Sequence, residues 1–218
     1  MPSFFMYIKR VKGAHPVKTI ITNLVEDYRQ KASYWAGSVF EGVTELSTDY
    51  KGKFGEELLY KLIKDLTDIQ VQWDADSNTT NDDGVYDLFW TNDEGKKVRV
   101  EVKTSGRTVS KGDAKGWQHE NVYFSDNKWD KLVFLDYDRN DVMFITIVDY
   151  DDIVKDNNLD LSVFGKNAHQ RKNEEGKAKV DFSTKSIRNG IDAGVTFEYD
   201  VNNTCDELLG LFLLQKLA

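Results

Sequence analysis

The residues best suited to chemistry lie in one short segment, 84–105, which reads GVYDLFWTNDEGKKVRVEVKTS. Asp87 stands within an apolar run, and the triplet Glu101-Val102-Lys103 follows in a second run after a turn. An isolated carboxylate in an apolar strand is expensive to bury unless it is paired or binds a metal. Two carboxylates and a strand carbonyl, here that of Val102, are hard oxygen ligands of the kind that Mg²⁺ prefers. The segment therefore predicts a divalent-cation site.

Phosphodiester hydrolysis is the chemistry that such a site would support. A metal ion held against a phosphate polarises the phosphodiester and lowers the pKa of a bound water. A lysine beside the ion, here Lys103, is expected to orient or deprotonate the attacking water and to offset the charge of the transition state. We therefore expect Asp87 and Glu101 to bind Mg²⁺, for which Mn²⁺ can substitute.

A β-hairpin is needed to bring these residues together, and the segment has the pattern of one. Strands are predicted over 85–90 and 98–104, joined by a turn rich in Asn, Asp and Gly. Side chains alternate between the two faces of a strand. The three valines of the second strand should therefore face the core, with Glu101 and Lys103 on the opposite face. Across the hairpin, Asp87 is expected to lie near both.

A preceding helix, predicted over 53–65 from its stripe of leucine and isoleucine, supplies a fourth candidate. At about 100° per residue, Gly55 points into the packing surface and permits close approach to the sheet. Glu56 lies at the edge of the stripe, and Glu57 points towards solvent. Glu56 is therefore expected to reach the site as a catalytic residue and further metal ligand, whereas Glu57 is not.

The Glu-x-Lys triplet alone is not specific, because it occurs at 94–96, 101–103 and 175–177. The first and the third have glycine in the middle and lie in turn-like sequence. Only 101–103 has the strand context that the chemistry requires. The alternative for the hairpin is an amphipathic ribbon with exposed charges, and the alternative for Glu56 is a solvated helix residue.

In these residues and their order, the chain resembles the PD-(D/E)XK nuclease superfamily over about residues 52–105. The resemblance implies an α/β fold with a restriction-endonuclease-like core, in which helices flank a mixed sheet of four or five strands. Tyr86 stands where the pattern has proline. Type II restriction enzymes, junction resolvases and repair nucleases share this signature, so it does not select a biological role. The catalytic set that it implies is Glu56, Asp87, Glu101 and Lys103.

Basic residues are concentrated in two blocks of a chain whose net charge is −8. Residues 96–115 and 166–188 each contain seven Lys or Arg, against two and three acidic residues respectively. Such side chains contact phosphates and can also read base edges, although both blocks could equally be solvated surface. The candidates near the cut are Ser105, Arg107, Lys111 and Lys115. Those in the basic segment at about 159–190, predicted to be irregular and to resemble a recognition insertion, are Lys166, His169, Gln170, Arg171, Lys172, Lys177, Lys179 and Arg188.

The remaining pattern predicts further elements around this core. Helices are expected over about 16–33 and 204–217, with a short one at 149–156. Residues 38–50 are predicted to be loop with a possible short strand at 39–43, and the stretch after 105 to be a polar connection. The C-terminal helix is apolar nearly all round, so it is either deeply buried or part of a dimer interface. Further strands are predicted at 69–73, 131–136, 142–148 and 195–199.

The length of 218 residues suits one domain over 1–218. Cys205 is the only cysteine, which excludes an internal disulfide and a cysteine-based zinc cluster. No apolar run approaches the roughly 18 residues of a membrane span, and the N-terminal apolar stretch is too short for a secretory signal. We therefore expect a cytoplasmic protein with no membrane partner.

The expected function is a Mg²⁺-dependent DNA endonuclease, with a type II restriction-endonuclease-like enzyme as the leading interpretation. Cutting both strands calls for two active sites, so a homodimer is expected by symmetry. One alternative is a junction-resolving or DNA-repair nuclease that recognises shape. A second is a nucleic-acid-binding module without catalysis. His15, His119 and His169 are isolated in the sequence, which argues against a histidine-based nuclease, although His169 is a candidate auxiliary group.

Overall fold

The computed structural model describes residues 16–29, 38–43, 46–74, 86–110, 113–124, 128–156, 158–174 and 176–218. The described helices are α1 (Pro16–Arg29), α2 (Thr48–Leu66), α3 (Tyr150–Ile153), α4 (Thr184–Asp192) and α5 (Asp206–Leu217), with a 3-10 helix at Ser162–Asn167. The described strands are β1 (Gln72–Trp73), β2 (Leu88–Thr91), β3 (Lys97–Gly106), β4 (Thr108–Ser110), β5 (Asp113–Tyr123), β6 (Lys131–Asp138), β7 (Val142–Asp149), β8 (Val154–Lys155), β9 (Asn158–Leu159), β10 (His169–Glu174), β11 (Lys177–Phe182) and β12 (Thr196–Asp200).

A mixed sheet of six strands forms the middle layer, in the order β1-β2-β3-β6-β7-β12. The pairing of β3 with β6 is parallel, and the other pairs are antiparallel. The α/β architecture with a mixed sheet is therefore confirmed, but the expected number of four or five strands was wrong. The sheet is larger because the short strand β1 and the late strand β12 both join it at its edges.

Helices cover one face of this sheet. The leucine and isoleucine stripe of α2 packs with Val98, Val100 and Val102 of β3 in a core to which α1 and α5 also contribute. The apolar helix α5 is largely buried there, although Leu208 remains 53% exposed. Among the described helices, none combines the length and apolar character that crossing a membrane requires.

A second sheet, in the order β10-β11-β5-β4, lies against the other face together with α4 and the 3-10 helix. The predictions of a polar connection after residue 105 and of an irregular segment at 159–190 were therefore wrong. The pattern of β5 was hidden by a β-bulge. Between the pairs His119↔Val180 and Val122↔Ala178 the register shifts, and Asn121 has a positive φ of 54°. Such an extra residue breaks the period-two alternation that identifies a strand.

The predicted helix at 53–65 begins earlier, at Thr48, because Ser47 caps it and accepts a hydrogen bond of 3.4 Å from the Tyr50 N–H. The possible strand at 39–43 was wrong, since these residues form turns. Instead of pairing in a sheet, the Val39 N–H donates to Oδ1 of Asp141 at 3.0 Å. The first helix is described to Arg29, and the rest of the predicted range, 30–33, lies outside the described residues.

Candidate active site

The four residues predicted to act together are brought together by α2, the start of β2 and the middle of β3. Glu56, Asp87, Glu101 and Lys103 interact electrostatically with one another. We call these four residues the acid–lysine cluster. Each of the three elements positions its residues through a different local feature of its backbone.

Asp87 is held by two hydrogen bonds to the backbone of β3. Its backbone N–H donates to the Val100 carbonyl at 2.8 Å, and its Oδ2 accepts a 2.7 Å hydrogen bond from the Val102 N–H. The carboxylate therefore takes the place of the next bond of the β2–β3 ladder, because β2 itself begins only at Leu88. This exchange fixes Asp87 beside the Glu-x-Lys triplet rather than in the middle of a strand.

Glu101 and Lys103 form an ion pair on one face of β3. They are two residues apart, so the alternation of the strand places both side chains on the face opposite the three core valines, as predicted. Glu101 is only 4% exposed, and the Lys103 side chain is 19% exposed. The pair is therefore shielded from water, unlike the exposed ribbon that was the alternative interpretation.

The approach of α2 to β3 is as close as the glycine predicts. A Cβ built on Gly55 would lie 1.6 Å from Oγ1 of Thr104, so a side chain larger than hydrogen does not fit. The next residue, Glu56, turns towards the cluster, and its Oε2 accepts a 3.2 Å hydrogen bond from the Trp73 indole. Glu57 instead pairs with Lys61 at 3.1 Å. The prediction that Glu57 points into solvent was wrong, because its side chain lies along Lys61 and is only 20% exposed.

Burial and mutual repulsion disfavour the ionised form of the acids. Burial raises the pKa of Asp87 well above its ordinary value, and the charges of Glu101 and Glu56 raise it further. Burial also raises the pKa of Glu56 and of Glu101, although Lys103 opposes the shift in both. For Lys103, burial acts to lower the pKa, but the Glu101 and Asp87 carboxylates outweigh it and raise the pKa. Lys103 is therefore protonated at neutral pH.

The donor set of the cluster fits a divalent cation in charge and in chemistry. Ionising all three carboxyl groups against one ammonium would leave two negative charges uncompensated in a poorly hydrated place, which is costly without a counter-ion. Carboxylate oxygens are also the ligands that Mg²⁺ prefers. Within the described ranges, however, no group of three or more His, Cys, Asp or Glu side chains is arranged to hold a metal ion. Asp87 and Glu101, with the Val102 carbonyl and Glu56, are the oxygen donors that the cluster would offer to an ion.

The cluster opens into a groove of about 840 Å³ between α2 and β5. Residues 102–106 of β3 form its base, and residues 118–121 line it from β5. The residues that line it from α2 are Thr48, Asp49, Lys51, Gly52, Lys53 and Glu56. We call it the α2–β5 groove. Of the three carboxylates of the cluster, those of Glu56 and Asp87 line the groove.

Two of the predicted DNA contacts near the cut line this groove. Ser105 is 8% exposed, and its Oγ accepts a 3.2 Å hydrogen bond from the Gln118 N–H. Arg107 donates to Asp138 at 2.6 Å and to Thr184 at 2.9 Å, so its guanidinium is largely occupied within the protein. Lys111 and the side chain of Lys115 lie outside the described residues.

The predicted contacts in the basic segment do not line the groove. Three of them are ion-paired, Arg171 with Asp181 at 2.5 Å, Lys179 with Glu120 at 2.8 Å and Arg188 with Glu198 at 2.6 Å. The others are differently placed. Lys166 and Gln170 line a separate depression of about 380 Å³, Lys177 lies over the Tyr123 ring, His169 is exposed on β10, and the side chain of Lys172 lies outside the described residues.

Sequence reasoning missed a buried pair beside the groove, His119 with Asp136. Nε2 of His119 lies 3.0 Å from Oδ1 of Asp136, both side chains are fully buried, and the atoms are not aligned as a hydrogen bond. His119 lines the groove, whereas His169, the predicted auxiliary group, does not. Asp136 in the apolar run 132–137 was the one signal in the sequence. Its partner could not be identified, because the contact joins two different sheets.

Comparisons with family models, curated proteins and solved structures found no match for the chain.

Proposed function

We propose that this chain is a metal-dependent nuclease of the PD-(D/E)XK type that hydrolyses DNA phosphodiesters. The observation that supports the proposal is the meeting of four charged residues beside one groove, which Glu56, Asp87 and Lys103 line and behind which Glu101 is buried in an ion pair with Lys103. Structural ion pairs also bury charge, but they rarely place three acids against one cation. Strongly perturbed carboxyls in a cleft are typical of functional sites.

Each residue of the acid–lysine cluster has a distinct proposed role. Asp87 and Glu101, with the Val102 carbonyl and Glu56, would hold Mg²⁺ or Mn²⁺, which supplies Lewis acidity and a bound water of lowered pKa. Glu56, positioned by the Trp73 indole, accepts a hydrogen bond from the attacking water and orients it. Lys103 carries its proton at neutral pH, so it offsets charge on the phosphate in the transition state rather than acting as a base.

Within this class we propose a type II restriction-endonuclease-like enzyme that acts on duplex DNA as a homodimer, since each chain supplies one site. A junction-resolving or repair nuclease is the second candidate. It is favoured by the position of the basic segment, whose candidate contacts do not line the groove and are partly ion-paired. Cleavage of linear duplex, branched and single-stranded DNA separates the two, and light scattering with and without DNA measures the oligomeric state.

The decisive experiment is a cleavage assay with Mg²⁺ and with chelator, using wild type and matched variants. Removing a positioned charge that acts in the transition state costs about 10²–10³-fold in rate. We expect such losses for Asp87→Asn, Glu101→Gln and Lys103→Gln. Glu56→Gln should also cut more slowly, whereas Glu57→Gln, which removes the neighbouring carboxylate that faces Lys61, should cut like wild type.

Two results would contradict the proposal. If Asp87→Asn and Lys103→Gln cut as well as wild type, the site is wrongly assigned. If wild type binds DNA but cuts no substrate with either Mg²⁺ or Mn²⁺, the chain is instead a non-catalytic nucleic-acid-binding module.

A further inference from the structure

The α2 wall of the α2–β5 groove contains a lysine without a described carboxylate partner. Lys51 is half-buried in the first turns of α2, and no acidic side chain within the described ranges forms an ion pair with it. Burial lowers the pKa of Lys51, as expected for a cation that is partly removed from water without compensation. Such an ammonium group is suited to an anionic ligand.

The rest of the groove contains buried polar side chains. Tyr137 is 3% exposed and His119 is 2% exposed, and both line the groove. In the described part of the chain, the Tyr137 hydroxyl has no hydrogen-bond partner, whereas Nε2 of His119 lies 3.0 Å from Oδ1 of Asp136. Buried polar groups are normally satisfied. Groups that are not satisfied beside a groove therefore indicate a ligand with polar atoms.

The spacing of Lys51 from the cluster suits a polymer rather than a small anion. Lys51 precedes Glu56 by five residues on α2, which is about 7.5 Å along the helix axis at about 1.5 Å per residue. Because the backbone winds around the helix axis, neighbouring phosphates of one strand are about twice as far apart as the axial rise of about 3.4 Å per nucleotide, so this distance matches one phosphate-to-phosphate step. An anion bound at Lys51 and a phosphate at the acid–lysine cluster can therefore belong to the same strand.

We propose that the α2–β5 groove binds a nucleic-acid strand by its phosphate backbone, with Lys51 contacting a phosphate next to the one that is cut. The position relative to the cut rests on the proposed function, whereas the phosphate contact itself does not. Phosphate contacts of this kind fix the register of a strand without reading its sequence.

Binding without metal tests the contact independently of cleavage. Fluorescence anisotropy in chelator, over a series of salt concentrations, would measure the binding constants of wild type, Lys51→Gln and Lys155→Gln. The labelled ligands are single-stranded DNA, duplex DNA and single-stranded RNA. Lys155 is exposed on β8 and does not line the groove, so its variant matches the change in net charge. Circular dichroism confirms that both variants fold.

We expect Lys51→Gln to make the slope of log K against log salt shallower by about 0.9 for duplex or about 0.7 for single strands, and Lys155→Gln to leave it unchanged. The substrate that shows the change identifies the strand that the groove accepts. Equal slopes for the two variants, or no binding of wild type to any of the three ligands, would overturn the inference. If wild type cuts DNA but Lys51→Gln has the same salt slope as wild type, only the Lys51 contact is wrong. If Lys51→Gln has a shallower salt slope but wild type cuts no substrate, only the nuclease proposal is wrong.

Discussion

The ionisation of the acid–lysine cluster links its chemistry to the stability of the protein. Burial and neighbouring charges raise the pKa of Asp87, Glu56 and Glu101 in the folded chain. The folded state therefore binds protons at these groups more tightly than the unfolded state does. The associated stabilisation is complete below the ordinary carboxyl values, 3.8 for Asp and 4.5 for Glu, and is lost as the pH rises through the raised values.

We predict that, without divalent metal, the free energy of unfolding falls as the pH rises from mildly acidic to neutral. Under the proposed function Mg²⁺ binds the ionised carboxylates, so it should stabilise the folded state more at neutral pH than at acidic pH. Urea titrations at several pH values, with chelator and with Mg²⁺, measure both effects. If the free energy of unfolding depends on pH in the same way in Asp87→Asn as in wild type, and Mg²⁺ does not change this dependence, then groups outside the cluster cause it.

Asp87→Asn should raise the stability of the metal-free protein at neutral pH while abolishing cleavage. The substitution removes one of three like charges from a buried cluster, and relieving a buried charge of this kind is worth about 1 kcal/mol or more. For a chain of this size, each kcal/mol raises the Tm by about 2–4 °C. Asp93→Asn in the exposed turn of the hairpin is the control, and thermal unfolding in chelator is the measurement. A Tm below that of wild type would contradict the repulsion inferred here.

At the residue scale, the identity of the cluster could be predicted from sequence because it depends on local periodicity. The alternation of β3 and the turn angle of α2 determine where Glu101, Lys103 and Glu56 point. The protonation of Lys103 could not be predicted, since it depends on which carboxylates surround it in three dimensions. The sequence left open whether Lys103 acts as a base, and the charges of Glu101 and Asp87, which raise the pKa of Lys103, favour the proposed role of offsetting charge instead.

The contact between α2 and β3 is the element-scale feature on which the position of Glu56 depends. Gly55→Ala would place a Cβ 1.6 Å from Oγ1 of Thr104, so α2 must shift away from the sheet. Overpacking of this kind costs about 1–3 kcal/mol. We predict lower stability by urea denaturation and slower cleavage, because Glu56 moves with the helix.

Gly52→Ala is the matched control on the same helix. Its added Cβ would lie 3.9 Å from Oε1 of Glu56, an ordinary contact. Alanine is favoured over glycine within a helix by about 1 kcal/mol, so this variant should be as stable as wild type or more so. If both variants behaved alike, the close packing at Gly55 would not position Glu56.

Among the elements, the hairpin and the strands β6 and β7 were predictable because their apolar runs are continuous and their turns are marked by Asn, Asp and Gly. The strand β5 was not. Its bulge at Asn121 shifts the alternation, so Trp117 and Val122 do not stand in one regular series. Because β5 was not predicted, the β10–β11 hairpin had no partner strand in the predicted fold. Its many charged residues were therefore predicted to form an irregular basic segment.

At the scale of the whole molecule, Asp206 ties the first described helix to the last strand and the last helix. Oδ2 of Asp206 accepts a 3.2 Å hydrogen bond from the Val17 N–H at the start of α1, and Oδ1 accepts one from the Tyr199 hydroxyl. In the sequence, Asp206 is only a carboxylate in the first turn of a helix, a position that suits the helix dipole. Its actual partners lie in distant parts of the chain, which local patterns cannot identify.

Asp206→Ala leaves two donors unsatisfied, one of them on the fully buried Tyr199, at about 1–3 kcal/mol each. We therefore predict a loss of about 2–4 kcal/mol in the free energy of unfolding, measured by urea denaturation. Glu207→Ala, which changes the next and exposed residue, should alter stability by less than about 0.5 kcal/mol. Equal losses in the two variants would show that Asp206 acts only through the helix dipole.

The parallel pairing of β3 with β6 has a consequence for the route by which the chain folds. The hairpin of β2 and β3 can form early because its contacts are local, but β6 joins β3 only after the excursion through β4 and β5 has returned the chain to the same end of the sheet. Non-local pairings of this kind are slow to form. In refolding experiments, the hairpin should gain protection from hydrogen exchange first, and the closed groove should appear only with the slowest phase.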